Sequence, residues 1–466
     1  MQKIFENVAH LDKHCYEQYH LSEDLLMEHA ALGMASYIEE HFTIGSSILI
    51  VAGSGNNGAD GIALARLLYP SYRIKLFLPM GIKSPMAQLQ KKRIEALGIE
   101  SVEAISESDV VVDALFGSGL NRELETEQLK VIEAMNELHG AKIACDIPSG
   151  LLIDGSLSSA VFDADITLTM GALKWALFSD GAKDFVGDID VINLGVDRTL
   201  YEGSTNTYLL EPLDMQLPFR IKLNTHKGSF GHCAVLSGEK EGASILAGLA
   251  CLEFGAGLVT VVSREKITLP AQLMQENILP LNTTAICAGM GMGDYYDTQS
   301  LKDLLLDHDL PMVIDADLFS MPIMKELVTK KLVITPHPKE FCVLLKLLAI
   351  ADISTEMLQK DRMHYARLFS HSFPQIVLVL KGANVIIAHE DRYFVNPYGS
   401  PKLSKGGSGD VLAGMIGALL AQGYSPLDAA KSASLAHVFA ANITDKNSYA
   451  ITPTDIIKHI GKLESS

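Results

Sequence analysis

The sequence predicts two α/β domains in tandem, each a parallel β-sheet covered by helices on both faces. Three observations carry that expectation. The chain has 466 residues, 48% hydrophobic and 20% charged, enough apolar material for two cores of roughly 200–250 residues each. Short apolar runs rich in β-branched residues alternate with helical segments, as strands buried on both faces require. The alternation breaks over 200–224, a stretch that holds Pro212 and Pro218. The first domain is therefore expected over 1–210 and the second over 215–466.

Each element follows from its local pattern. Residues 1–40 read as helical, with Leu25, Leu26, His29 and Gly33 at helical spacing. Strands are expected over 47–53, 73–79, 109–117, 142–150, 164–171 and 187–196, with helices over 58–69 and 84–97. In the second domain the apolar runs fall at 232–238, 258–263, 284–289, 312–317, 332–336, 376–382 and 384–390. Helices over 410–422, 426–440 and 453–463 end the chain.

Composition excludes several function classes. A net charge of −18 repels a phosphate backbone, so no nucleic-acid partner is expected. Backbone amides can still grip the phosphate of a small molecule. Cys15, Cys145, Cys233, Cys251, Cys287 and Cys342 are scattered without a CxxC pair, which argues for reduced thiols in a cytoplasmic protein. The N-terminus has no apolar core of a signal peptide. The longest apolar stretch, 411–423, is too short to span a bilayer, so no membrane partner is expected. A homo-oligomer is.

Between the first strand and its helix lies Gly53-Ser54-Gly55-Asn56-Asn57-Gly58-Ala59-Asp60-Gly61. It satisfies GxGxxG, yet the next strand ends Phe77-Leu78-Pro79-Met80 without the acid that would hold a ribose, so the ordinary dinucleotide reading fails. Two readings remain: a tight turn kept for packing, or an anion site at a helix start. Asn56, Asn57 and Asp60 favour the second, because three polar side chains crowded at a strand end are costly to bury for packing alone. Two more strands end in polar residues, at Asp113-Ala114-Leu115-Phe116-Gly117-Ser118-Gly119 and at Asp146-Ile147-Pro148-Ser149-Gly150. In an open α/β sheet such ends converge on one crevice. Asn57, Asp113 and Ser149 offer oxygen ligands of low charge, suited to a hard, weakly held cation, and Asp146 could act as a general acid–base.

Together, NNGADG, DALFGSG and DIPSG resemble the three signatures of NAD(P)H-hydrate epimerases over residues 1–210. The resemblance implies a Rossmann-like three-layer sandwich with a parallel sheet. It implies substrate contacts by Asn56, Asn57, Gly58, Ala59 and Asp60, by Gly117, Ser118, Gly119, Leu120, Asn121, Arg122 and Glu123, and by the catalytic Asp146. It also implies potassium (K+) contacts by Asn57, Asp113 and Ser149. Ala59 stands where the family usually has glycine, and its methyl is expected to narrow the loop.

The strongest local signal is Lys405-Gly406-Gly407-Ser408-Gly409-Asp410, followed at once by an apolar helix. Glycines let the backbone wrap an anion while the helix start aims free amides at it. Asp410 is expected beside that anion hole, its pKa lowered by the helix start, where it can orient a hydroxyl and accept its proton. The alternative makes Asp410 a simple N-cap. Other polar strand ends accompany it: Lys381-Gly382-Ala383-Asn384-Val385 between two strands, Ala288-Gly289-Met290-Gly291-Met292-Gly293, and Thr335-Pro336-His337-Pro338. Asp315 and Asp317 offer oxygen to a magnesium ion or its waters. Alone, His337 reads as structural.

As a set these motifs resemble the ADP-dependent NAD(P)H-hydrate dehydratases, which share the ribokinase-like α/β/α fold, over residues 215–466. His226-Lys227-Gly228-Ser229-Phe230-Gly231 and the run Gly255 to Thr260 belong to the likeness. It implies hydrate contacts by Ala243, Gly291, His337 and the catalytic Asp410. Nucleotide contacts are implied at Lys381, Gly382, Ala383, Asn384, Val385 and Gly409, with magnesium (Mg2+) and ADP. Lys240-Glu241, Met290 and Lys339 depart from the family's usual residues at the site border.

The expected reaction is repair of hydrated NADH and NADPH (NADHX and NADPHX). An epimerase interconverts the R and S forms, and the dehydratase returns the S form to the reduced cofactor, converting ADP to AMP and phosphate. One rival is a vitamin or sugar kinase with the same C-terminal fold, which has no need of the three N-terminal motifs. Another makes the first half a non-catalytic binding module, as in RNA-decapping scaffolds; the intact Asp146 and the negative charge argue against it.

Overall fold

A computed structural model gives the protein's structure and describes residues 1–464. The chain divides into two compact units, one over residues 3–205, the other over residues 206 onward together with Met1 and Gln2.

In chain order the first unit contains β1 (Gln2–Phe5, all but its first residue), β2 (Ser47–Ala52), β3 (Arg73–Phe77), β4 (Ser101–Val102), β5 (Val110–Ala114), β6 (Ala141–Cys145), β7 (Ile166–Met170), β8 (Leu173–Lys174) and β9 (Asp188–Ile192). Its main sheet runs β4-β3-β2-β5-β6-β7-β9 with every pairing parallel. Side chains alternate across it as strand geometry demands. Ile48, Ile50, Val110 and Val112 enter one core, and Leu49, Val51 and Val111 the other. The first core is roofed by α2 (Glu23–His41), α3 (Asn56–Leu68) and α4 (Pro85–Ala96), which follow α1 (Ala9–Gln18); α5 (Thr126–Asn136) covers the second. Ser22 and Ser84 cap α2 and α4 by accepting amide hydrogen bonds. α3 begins at Asn56, two residues before the expected start, with Gly55 at its N-cap and no side-chain cap. β1 pairs with β8, a ladder that the helical reading of residues 1–40 missed.

The second unit contains β10 (Thr207–Leu209), β11 (His232–Leu236), β12 (Leu258–Val262), β13 (Met274–Glu276), β14 (Ala285–Ala288), β15 (Met312–Ile314), β16 (Leu332–Ile334), β17 (Val377–Leu380), β18 (Val385–His389) and β19 (Arg392–Asn396). They run β13-β12-β11-β14-β15-β16-β17-β18-β19-β10. Pairing is parallel from β13 to β17 and antiparallel from β17 through β19. Residues 206–210 were expected in the first domain. Instead Thr207–Leu209 pairs with β19 of the second unit, too short a run to be read as a strand from sequence alone.

Helices of this unit that bear on the site, numbered on from the short α6 (Arg198–Tyr201), begin with α7 (Glu241–Glu253), α8 (Thr298–Leu305), α9 (Met324–Leu327), α10 (Pro338–Leu347), α11 (Thr355–Lys360) and α12 (Arg362–Ser372). They end with α13 (Ser408–Ala421), α14 (Pro426–Asn442) and α15 (Pro453–Ile460). The apolar run expected over 411–423 is α13, buried along nearly its whole length among α7, α14 and the sheet. That surround explains a helix apolar on all faces. Gly414 permits the contact with α7, since a Cβ there would lie 2.1 Å from the Ala247 carbonyl oxygen. Among the described residues no helix is long and apolar enough to cross a membrane.

Candidate active sites

In the first unit the strand order reverses between β2 and β5, and the crevice outside their carboxyl ends is where an open α/β sheet binds ligand. A cavity of about 490 Å³ opens there, lined by Ser54 to Asn57, Asp60, Leu115 to Arg122, Asp146 and Lys174. Further wall comes from α1 and α2, through Asp12, Tyr16, Glu23 and Met27 among others, and from Tyr201, Met170 and Leu194. Thus Asn56, Asn57, Asp60, Gly117, Ser118, Gly119, Leu120, Asn121, Arg122 and Asp146 are brought together. Gly58, Ala59 and Glu123 do not line the cavity. The Ala59 methyl, expected to narrow the loop, lies instead in the apolar core under α3. Gly58 is held against Gly53, whose carbonyl oxygen a Cβ would approach to 1.8 Å.

Asp146 follows β6 with φ +73°, a left-handed conformation that is uncommon outside glycine and found at functional sites. Its Oδ1 meets the Lys174 ammonium at 2.7 Å and its Oδ2 accepts from the Ser118 amide at 2.8 Å. Burial would raise its pKa, but Lys174 and Ser118 prevail and hold the carboxyl below its ordinary value. The Lys174 side chain is 3% exposed and donates also to Thr169 Oγ1 and to the carbonyls of Met170 and Ala172. Sequence reasoning passed over it, although a lone lysine inside the apolar run 170–178 is a signal that a buried partner awaits it.

Below the cavity floor, Asp113 is fully buried and accepts from Ser149 N, Ser149 Oγ and Leu115 N. Burial nonetheless pushes its pKa up to about 6. Among the described residues, the groups acting on it include no cation. Nearby, Asn57 Nδ2 is buried without a hydrogen-bond partner. Exchanging the amide's two terminal atoms would aim an oxygen into that space. Asn57, Asp113 and Ser149 offer oxygen donors with a single carboxylate, and that donor chemistry fits a hard monovalent cation.

The second unit reverses strand order between β11 and β14, and there the structure groups Lys381, Gly409 and Asp410 about Asp315, and Gly291 with Ala243. Gly291, at φ +57°, sits against Lys240 and Ala243, which a Cβ would meet at 2.7 and 3.1 Å. Met290 is buried in the core and Lys339 is exposed. Gly407 is the N-cap of α13 with φ +93°, leaving Asp410 in the first turn. The N-cap alternative for Asp410 is thereby excluded. Its pKa is also not lowered as expected: burial, then the neighbouring Asp315, push it up to about 6 and outweigh the helix start. Lys381 Nζ binds Asp315 Oδ1 at 2.9 Å, and Asp317 Oδ2 accepts from the Gly293 amide at 3.0 Å. His337 forms a reciprocal cap with Glu340 at the start of α10, and its ring is exposed. Gly382 and Ala383 are exposed at the β17–β18 turn, whereas the Asn384 and Val385 side chains are buried.

Two supports were invisible in sequence. Arg362, at the start of α12, donates to the carbonyls of Leu380, Lys381 and Asn384 and so clamps the turn that carries Lys381. His437 of α14 lies 3.3 Å from Ser408 Oγ; burial and then Lys381 lower its pKa to about 4, so it is neutral and can accept the hydroxyl proton. Asp410 feels the carboxylates of Asp315 and Asp317, and the Lys381 ammonium beside them is shared with Glu340 at 3.9 Å. That excess of negative charge fits a divalent cation resting on one or two carboxylates and on phosphate oxygens.

Comparison with known proteins agrees with this division. The family described as YjeF-related protein N-terminus matches residues 23–176, and the one described as NAD(P)H-hydrate dehydratase matches residues 233–462. A bifunctional NAD(P)H-hydrate repair enzyme of Helicobacter pylori is 41% identical over 99% of this chain and 100% of its own. The Coxiella burnetii enzyme of the same name is 33% identical over 89% of each chain. Among solved structures, the ADP/ATP-dependent NAD(P)H-hydrate dehydratase of Bacillus subtilis, crystallised with ATP and Mg2+, is 24% identical. It covers 56% of this chain and 98% of its own, with a TM-score of 0.46. This chain belongs to the family of bifunctional NAD(P)H-hydrate repair enzymes.

Proposed function

We propose that the first cavity epimerises the R and S forms of NADHX and NADPHX, and that the second site dehydrates the S form with ADP as phosphoryl donor. The observation that carries this reading is the pairing, within one chain, of two separate helix-start glycine loops, one beside the buried Asp146 and the other beside the half-buried Asp410.

Hydration leaves a hydroxyl on the carbon next to the ring nitrogen, and hydroxide is a poor leaving group. In the second site the Gly409 amide, in the first turn of α13, is the donor that would grip a phosphoryl group, while the Ser408 amide closes the loop onto the Lys405 carbonyl at 3.2 Å. Asp410 orients the hydroxyl and takes its proton as the oxygen attacks the β-phosphorus of ADP, releasing AMP. The nitrogen lone pair then expels phosphate, and loss of the neighbouring ring proton restores the reduced nicotinamide. Ala243, Gly291 and His337 border the hydrate, and the 381–385 turn borders the nucleotide. Magnesium, resting on Asp315 or Asp317 and on the phosphates, would neutralise phosphate charge. In the first unit Asp146 is the catalytic carboxylate, and potassium held by Asn57, Asp113 and Ser149 would offset the Asp113 charge. The six cysteines are free thiols, which fits a reducing, cytoplasmic setting.

Purified protein given mixed hydrate epimers and ADP, followed at the absorbance band of reduced nicotinamide, tests the whole reading. Full recovery supports it. Recovery of the S fraction alone defeats the epimerase half, and stable phosphorylated product without recovery favours a kinase.

A further inference from the structure

We propose that Asp60 is the proton donor of the epimerase cavity, working with an Asp146 that Lys174 holds as a fixed carboxylate. The assignment rests on the first cavity being the epimerase centre.

Asp146 is poorly placed to give a proton. Its Oδ1 accepts from Lys174 Nζ and from the Met170 amide at 3.3 Å, and its Oδ2 from the Ser118 amide. Three donors, one of them an ammonium, favour the ionised form. The other acids of the cavity wall also have partners: Asp12 accepts from the Tyr201 hydroxyl at 2.7 Å, and Glu23 from Asn56 Nδ2 at 2.7 Å. Asp60 lines the same cavity, and among the described residues none donates a hydrogen bond or forms an ion pair with its carboxyl group.

The charged and titratable groups around Asp60 are Asp12 and Tyr16 of α1, Glu23 of α2, Cys145 and Asp146 at the end of β6, and Lys174 of β8. Lys174 is the one cation among them, and it is committed to Asp146. Burial first, then Asp146, Asp12 and Glu23, push the Asp60 carboxyl well above its ordinary range. Two carboxyl groups driven apart in this way mark an acid and its charged counterpart.

The step balances without a co-reactant. Asp60 protonates the ring hydroxyl, the carbon–oxygen bond breaks, and water leaves. The ring-nitrogen lone pair forms the carbon–nitrogen double bond of an iminium ion, whose positive charge the Asp146 carboxylate offsets. Water then adds to the opposite face and loses a proton to solvent, from which Asp60 regains its own. The carbon is inverted, its oxygen comes from solvent, and nothing is oxidised or reduced.

The test uses the full chain with R hydrate alone, no ADP, in heavy-oxygen water. Interconversion is followed by chromatography and oxygen uptake by mass spectrometry. Wild type should gain one solvent oxygen per inversion, with kcat falling as pH rises and Asp60 ionises. Asp60→Asn should lower kcat about 100-fold or more while KM stays within about threefold. Asp60→Glu should restore part of the rate. Lys174→Met should shift the acid limb of the pH profile upward. An Asp60→Asn variant that keeps kcat and raises KM overturns the proposal, as does inversion without oxygen uptake. If wild type does not invert the hydrate at all, the epimerase reading itself falls, and this assignment with it.

Discussion

The Lys381 ammonium meets the Asp315 carboxylate at 2.9 Å directly beneath the anion loop, and a Cβ at Gly409 would come within 3.3 Å of the same nitrogen. One ion pair thus ties the proposed nucleotide turn to the strand end that faces Asp410. Asp315 is 2% exposed, so removing the lysine leaves a buried charge without its partner. Lys381→Met should cost about 3 kcal/mol or more of stability and raise the KM for ADP. Urea unfolding and initial-rate kinetics measure both, and an unchanged midpoint would show the pair to be incidental.

Asp410 carries a conflict between activity and stability. As a proton acceptor it works ionised, so dehydration should decline as pH falls through about 6. Its folded pKa of about 6 lies above the ordinary 3.8, and the folded state therefore holds the proton more tightly. The stability this group contributes is present below about 3.8 and lost as pH rises through about 6. At pH values above that window Asp410→Asn should abolish dehydration and yet stabilise the protein by about 2 kcal/mol, discounted for partial exposure. The gain should vanish in acid, which thermal melts across pH would read.

Recovery from a mixed hydrate separates the two sites. Asp146→Asn should halt recovery near the fraction already in the S form, apart from slow spontaneous epimerisation. Asp410→Asn should give none. Equal end points in the two variants would contradict the division of labour.

Potassium should act on stability through Asp113. That carboxyl, pushed up to about 6 by burial, is ionised in mild alkali and protonated in mild acid. Saturating potassium, present at about 100 times its dissociation constant, should add about 2.7 kcal/mol to the stability of the first unit in mild alkali. Little gain is expected in mild acid. Asp113→Asn should remove the difference between sodium and potassium buffers. Identical melting curves for wild type in the two salts would argue against the site.

The amino-acid pattern by itself determined much of this molecule. Buried parallel strands announce themselves as unbroken apolar runs, because both faces must leave water, and Ile48 to Ala52 or Val110 to Ala114 could be little else. Glycine loops that open a helix are equally legible, since the backbone conformation demands the residue, as Gly407 does at φ +93°. What tertiary structure decided is the charge state and company of the side chains. Asp410 sits at a helix start that alone would lower its pKa, but proximity to Asp315, remote in sequence, and burial reverse the sign. Lys174 finds Asp146, and Asp12 and Glu23 reach the cavity, only when α1, α2 and β8 are folded against the sheet. Electrostatic interaction depends on distance and on exclusion of water, and neither is a property of spacing along a chain.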